Sequence, residues 1–173
     1  AGHDSVGISG MAPTANIMPV RVLNDSGSGS LSDVISGIRW SADNGADVIN
    51  LSLGGGGYSQ AMSDAIQYAS DSGSVVVMAA GNEWADSPSY PAAHASENGI
   101  AVGAVDSNQN MPTFSNRAGL EVLDYVTAPG VNVYSTVIGG QYNFMTGTSM
   151  SSPHVAGLAA LIKNYDSSMS ASA

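Results

Sequence analysis

Apolar and polar positions along this chain fall into short blocks whose period switches between strand-like runs and helix-like stripes. From Ile17 to Leu23 an apolar run suits a buried strand, and the polar, glycine-rich stretch from Asn24 to Gly29 ends it. Leu31, Val34, Ile35, Ile38 and Ala42 then recur at helical spacing, with Ser30 as N-cap and Gly45 as C-terminal stop. Val48 to Leu53 predicts the next strand, cut off by Gly54 to Gly57. A second amphipathic helix runs through Met62, Ala65, Ile66 and Ala69 and ends at Gly73, and Val75 to Ala79 predicts another apolar strand. Ile100 to Val105 and Val122 to Thr127 are predicted as further strands. Ser149 to Asn164 forms a long apolar helical stretch, with Pro153 in its first turn, where a missing N–H costs nothing.

Strands that are apolar on both faces and alternate with helices predict an α/β fold, with a parallel β-sheet flanked by helices on both faces and joined by right-handed crossovers. The chain has 173 residues, enough for one domain with one sizeable core. Its Gly and Ser residues cluster between apolar runs, as in a loop-rich enzyme and unlike a disordered chain. Four Lys plus Arg against fourteen Asp plus Glu give a negative field that repels polyanions, so nucleic acid is excluded as a partner. No run approaches the roughly 18 apolar residues of a membrane span, and no basic-then-apolar leader opens the chain. Cysteine is absent, so neither disulfides nor thiolate metal sites are available.

In open α/β sheets, ligands sit beyond the carboxyl ends of the strands. Three glycine-bearing loops lie there: Gly27-Ser28-Gly29, Ser52-Leu53-Gly54-Gly55 and Ala79-Ala80-Gly81-Asn82. Each alone reads as a turn, although such backbone can also pair with an extended peptide as an added strand. None is a phosphate loop, because neither GxGxxG nor GxxxxGK[ST] occurs. The segment Gly147-Thr148-Ser149-Met150-Ser151-Ser152-Pro153-His154-Val155-Ala156-Gly157 places a serine at a helix N-terminus, where free N–H groups and the helix dipole favour negative charge on a nearby oxygen. That suits an acyl-transfer nucleophile, and it also suits a capped helix start.

That segment resembles the nucleophile motif of the subtilisin-like serine peptidases, the subtilases, with Ser151 where Ala is more usual. Val20-Arg21-Val22-Leu23, the run from Asp47 to Gly54, Ala79-Ala80-Gly81-Asn82, the run from Val102 to Asp106 and Ala128-Pro129-Gly130-Val131 match other segments of that family, in the same order. The resemblance covers essentially the entire chain. It implies a serine endopeptidase in which Ser149 is the nucleophile, and Asn82 and the Ser149 backbone N–H are the oxyanion donors. It also implies that Ser52, Leu53 and Gly54 form one edge for a peptide or protein substrate, Gly27, Ser28 and Gly29 the opposite edge, and Ala79, Ala80 and Gly81 a wall of the S1 pocket. By the same resemblance Met150 lies beside the nucleophile, open to oxidation, and the Tyr90-Pro91 bond is cis.

A serine hydroxyl needs a base, and the base needs a carboxylate to orient it. The family's Asp-Thr/Ser-Gly and His-Gly-Thr-His motifs do not occur here, and none of the three histidines, His3, His94 and His154, falls at the base position. The resemblance therefore implies a partial catalytic domain over residues 1–173, incomplete at both ends, whose catalytic Asp and His belong to an upstream segment. It further implies a structural calcium loop with Asp4 as a side-chain ligand and Gly2, Val6 and Ile8 as carbonyl ligands, and secretion, since the family is mostly secreted. Two other readings remain: a catalytically dead, peptide-binding module of the same fold, and a nucleotide-binding domain, which the fold pattern alone suggests and no phosphate loop supports.

Overall fold

The computed structural model describes residues 7–166 and 168–170. Helix α1 spans Leu31–Asp43, strand β1 Val48–Leu51, helix α2 Gln60–Asp71 and strand β2 Val75–Ala79. A 3-10 helix at Ala92–Ser96 precedes β3 (Ile100–Val105) and β4 (Tyr125–Pro129), and a hairpin of β5 (Val133–Val137) and β6 (Gln141–Met145) leads into α3 (Thr148–Tyr165). The sheet order is β1-β2-β3-β4, with every neighbouring pair parallel.

Side chains alternate across the strands, so each strand feeds two cores. Ile49, Leu51, Val76, Met78 and Ala101 point to one face and pack on Val34, Ile38 and Ala42 of α1 and Met62, Ala65, Ile66 and Ala69 of α2. Val75, Val77, Val102 and Ala128 point to the other and pack on Val155, Ala156 and Ala159 of α3. Every residue of β2 is buried, which is why its sequence is apolar without alternation. Both amphipathic helices start on serine caps: Ser30 Oγ accepts the Asp33 N–H at 3.1 Å, and Ser59 Oγ accepts that of Met62 at 3.4 Å. The parallel sheet flanked by helices on both faces is the architecture that the periodicity predicts. The Tyr90-Pro91 bond is cis, as expected.

Three elements differ from the sequence reading. The run from Ile17 to Leu23 is in no helix or strand, and Ile17 is 72% exposed. Val22 packs against the buried Gly37 of α1, while Arg21 turns outward to an ion pair with Asp25 at 2.8 Å. An apolar run signals a segment that wants cover; a strand also needs a partner for its backbone, and none exists among the described residues. The strand predicted at Val122 begins only at Tyr125, because its register with β3 starts at Ala101↔Tyr125, and Val122 itself is 93% exposed. The β5–β6 hairpin was not expected, yet Gly139 and Gly140, at φ of 88° and 71°, supply the turn, and Tyr134 stacks on Tyr142 at 5.6 Å.

Two buried polar atoms lack a hydrogen-bond partner among the described residues: His94 Nε2 and Ser151 Oγ. His94 sits in the 3-10 helix against the rings of Tyr58 and Tyr90. Burial holds its imidazole below the ordinary value, with the charge of Glu97 pulling the other way. The folded state therefore prefers neutral His94, whereas the unfolded chain takes up a proton near 6.5. Stability from this residue is complete above that pH and is lost as pH falls through it toward the lower folded value. The thermal midpoint should fall between about pH 7 and pH 5, with a shallower slope in His94→Phe. Ser151, on the inner side of α3, is fully buried. Removing an unpaired buried hydroxyl without changing shape should raise stability by about 1 kcal/mol, read as a shift of the urea midpoint in Ser151→Ala at constant m-value.

Candidate active site

Because β1 and β2 are parallel neighbours, the loops that leave their carboxyl ends emerge side by side, and α3 begins between them. Gly147 caps the helix at φ 154° and ψ 163°, backbone that favours glycine. A Cβ there would lie 3.6 Å from both Asn82 Nδ2 and Asn82 Oδ1 and 3.8 Å from the Ser149 backbone nitrogen, so the end of the Asn82 amide and that nitrogen border the same spot. Thr148 is fully buried. Its N–H and hydroxyl donate to Asn82 Oδ1 at 2.8 and 3.2 Å, and its Oγ1 accepts the Gly81 N–H at 3.1 Å. With its carbonyl oxygen occupied in this way, the exposed Asn82 keeps an amide nitrogen that bonds to nothing else among the described residues.

Ser149, half-buried, is tied to the other loop. Ser52 Oγ donates to the Ser149 carbonyl at 2.9 Å, and Ser149 Oγ makes a long 3.3 Å contact to the Ser52 carbonyl. Ser52 in turn accepts from Asn50 Nδ2 at 2.9 Å, and Asn50 Oδ1 accepts from Ser152 Oγ at 2.7 Å. Asn50 can reach α3 because strand alternation turns it away from Ile49 and Leu51 toward the helix. The serine at the head of α3 is thus tethered to both loops.

Ser52, Leu53 and Gly54 directly follow β1, and the loop is pinned where the Gly55 N–H donates to the Tyr90 carbonyl at 3.0 Å. Ala79, Ala80 and Gly81 close β2, where Ala80 donates to the Val102 carbonyl and accepts from the Ser89 N–H, both at 2.9 Å. Gly27, Ser28 and Gly29 belong to a separate loop that precedes α1. They form a turn in which Asn24 Oδ1 accepts the N–H groups of Ser26 and Ser28, beside a cleft of about 800 Å3 lined by α1 residues and the 20–24 segment. No lining residue of that cleft belongs to the Ser149 cluster.

No imidazole meets Ser149 among the described residues. His154 Nδ1 donates to the Met150 carbonyl at 2.8 Å, His94 is buried against tyrosines, and His3 lies outside the described residues. Of the expected calcium ligands, Gly2, Asp4 and Val6 also lie outside them, and Ile8 is in irregular chain.

Residues that the sequence reading passed over hold the site from below. Asn116, fully buried, bonds to the Ala80–Ala85 stretch through both ends of its amide. Glu83 receives hydrogen bonds from Asn116 Nδ2 at 2.7 Å and from Ser89 Oγ at 3.0 Å. Burial works upward on its carboxyl, but these bonds, with those from the Asn82 and Glu83 N–H groups, outweigh it and leave the group below its ordinary value. Lone Asn and Glu residues in loops carry no local signal, so nothing short of the fold could have singled them out.

Ser149 at the helix start, with the Asn82 amide and the Ser149 backbone nitrogen near one point and a loop on either side, has the components for stabilising charge on an oxygen beside it. The chain is 49% identical over 160 residues to the Thermophilic serine proteinase of Bacillus sp. (strain AK1), covering 92% of this chain and 39% of that protein. It is 49% identical over 174 residues to Subtilisin DY of Bacillus licheniformis, covering 98% and 61%. Among solved structures it superposes on Sphericase with a TM-score of 0.88 at 36% identity, over 99% of this chain and 61% of that one. A cold adapted subtilisin-like serine proteinase superposes with a TM-score of 0.85 at 42% identity, over 94% and 58%. The chain thus spans less than two thirds of each of these relatives. The model of the Subtilase family matches residues 1–173, and with the fold and the Ser149 cluster in agreement, the chain belongs to the subtilase family.

Proposed function

We propose that this chain carries the nucleophile, the oxyanion donors and part of the peptide-binding edge of a serine endopeptidase, and that an upstream segment supplies the catalytic His and Asp. The observation that carries this reading is the convergence of Asn82 Nδ2 and the Ser149 N–H at the head of α3. The subtilase membership supports it.

On this reading an extended peptide lies along Ser52–Gly54, with Gly27–Gly29 as the opposite edge and Ala79–Gly81 walling the side chain before the scissile bond. The incoming histidine removes the Ser149 Oγ proton as the oxygen attacks the peptide carbonyl carbon. Charge moves onto the carbonyl oxygen and is met by Asn82 Nδ2–H and the Ser149 N–H, donors already oriented before the reaction. The tetrahedral intermediate collapses, the histidine returns its proton to the leaving amine, and an acyl group remains on Ser149. Water, activated by the same base, releases it. We place the protein outside the cell on family grounds; among the described residues no helix is long and apolar enough to cross a membrane.

A second reading is a groove that binds peptide without cleaving it, favoured by the lack of any imidazole at Ser149 among the described residues. Activity measurements separate the two. The chain alone should show no peptidase turnover, since loss of the base costs about as much as loss of the full triad, on the order of 10⁶-fold as established within this family. Joined to an upstream segment bearing the Asp and His, it should cleave peptides and react with a fluorophosphonate. In that completed protein Ser149→Ala should abolish both. Asn82→Ala should lower kcat by about 10²–10³-fold, the scale known for oxyanion donors in this family, with little change in KM. A completed protein that binds peptide yet neither cleaves it nor reacts with the fluorophosphonate would establish the second reading instead.

A further inference from the structure

We propose that Asn116 is a positioning residue that sets the oxyanion-donor loop, an assignment that rests on the endopeptidase reading of Ser149 and Asn82. Asn116 lies in the connection between β3 and β4, far in sequence from both, and its side chain is completely enclosed. Its backbone N–H donates to the Gly81 carbonyl at 3.1 Å, and its Nδ2 donates to the Ala80 carbonyl at 3.0 Å. Its Oδ1 accepts the N–H groups of Glu83 at 3.0 Å and Ala85 at 2.9 Å. Residues on both sides of Asn82 are therefore clamped by one side chain, while Thr148 fixes the Asn82 side chain from the opposite direction. The clamp itself is anchored. Tyr125 of β4 donates to the Asn116 carbonyl at 2.6 Å, and Ser115 Oγ accepts the N–H of Ala104 in β3 at 3.0 Å.

The chemistry demands an amide. One arm has two N–H groups to share among the Ala80 carbonyl, the Glu83 carboxylate and Ser89 Oγ, all within 3.0 Å, and the other must accept two backbone N–H groups. A carboxylate has no donor for the first task and an aliphatic side chain can do neither. Gly81, at φ 108°, belongs to the same device, because a Cβ there would run into Asn116 Nδ2 and the Glu83 carboxylate. A donor aimed at a developing oxyanion must be held to about 0.5 Å, and a misplacement of about 1 Å can cost on the order of 10²-fold in rate. Asn116 supplies that rigidity without touching substrate.

Two variants and two readouts test this. In the chain itself, Asn116→Ala should reduce hydrogen-exchange protection of the Glu83 and Ala85 amides by about tenfold or more, with α1 and β2 amides unchanged. In the completed protein the same change should lower kcat by up to about 10²-fold while KM holds. Asn116→Asp keeps the acceptor arm, so Glu83 and Ala85 stay protected, but it sets a second carboxylate against Glu83, the charged group in contact with the side chain. At low pH a proton held between the two restores a donor; as pH rises it is lost. The ratio of variant to wild-type kcat should therefore fall with increasing pH. Unchanged protection at Glu83 and Ala85 in the alanine variant, protection lost evenly along the chain, unaltered kcat, or a pH-independent ratio in the aspartate variant would each overturn the assignment. If the completed wild-type protein cleaves nothing, the endopeptidase reading falls, and the exchange measurement still decides whether Asn116 clamps the loop.

Discussion

Thr148 is buried where the start of α3 meets the end of β2, and the site depends on its hydrogen bonds. Its hydroxyl and N–H take up the Asn82 carbonyl oxygen and the Gly81 N–H at once, which fixes the start of α3 to the end of β2. With Asn82 Oδ1 saturated, the amide nitrogen of the same side chain is the part left to face outward. Ser149, one residue further on, inherits its position from the same pin and from Ser52 on the other loop. The dipole and free N–H groups of a helix start are common to many helices; here a threonine makes them point somewhere definite.

The sheet contributes through its alternation. Within the four residues of β1, Ile49 and Leu51 are buried against α1 and α2, while Asn50 faces α3 and bonds to Ser152 and Ser52. A polar residue in an otherwise apolar strand looks, in the sequence, like a weakness in the core. In the fold it is the link between the strand and the helix that carries the serine. Asn50 is exposed in this structure, and both ends of its amide are bonded, to Ser52 and to Ser152.

How much could be read in advance follows from how far each feature reaches along the chain. The helices α1, α2 and α3 and the strand β2 were legible because periodicity and serine caps are local signals. The irregular 17–23 segment and the start of β4 were not, since apolar content says nothing of which backbone will pair with which. The hairpin had a local signature in Gly139-Gly140 between alternating residues, and it was overlooked. Ser149 and Asn82 emerged from an ordered set of segments matching a family, whereas residue chemistry alone favoured a capped helix start and a turn. Asn116 and Thr148 act across more than thirty residues of sequence in each case, through bonds to Glu83 and to Asn82, and no spacing rule could have disclosed them.

The segment from Ile17 to Leu23 sets a condition on how the chain behaves in solution. Backbone without a ladder partner is a template on which another strand can align; the 17–23 segment has none among the described residues, and β1 lies at the sheet margin. Arg21 is bound up with Asp25 and puts little unpaired positive charge beside it. What keeps copies apart is the formal charge of −10 spread over the molecule. That repulsion acts across roughly one Debye length, about 10 Å at 0.1 M salt and about 3 Å at 1 M. Added salt therefore shortens the reach of the repulsion that surrounds both backbones.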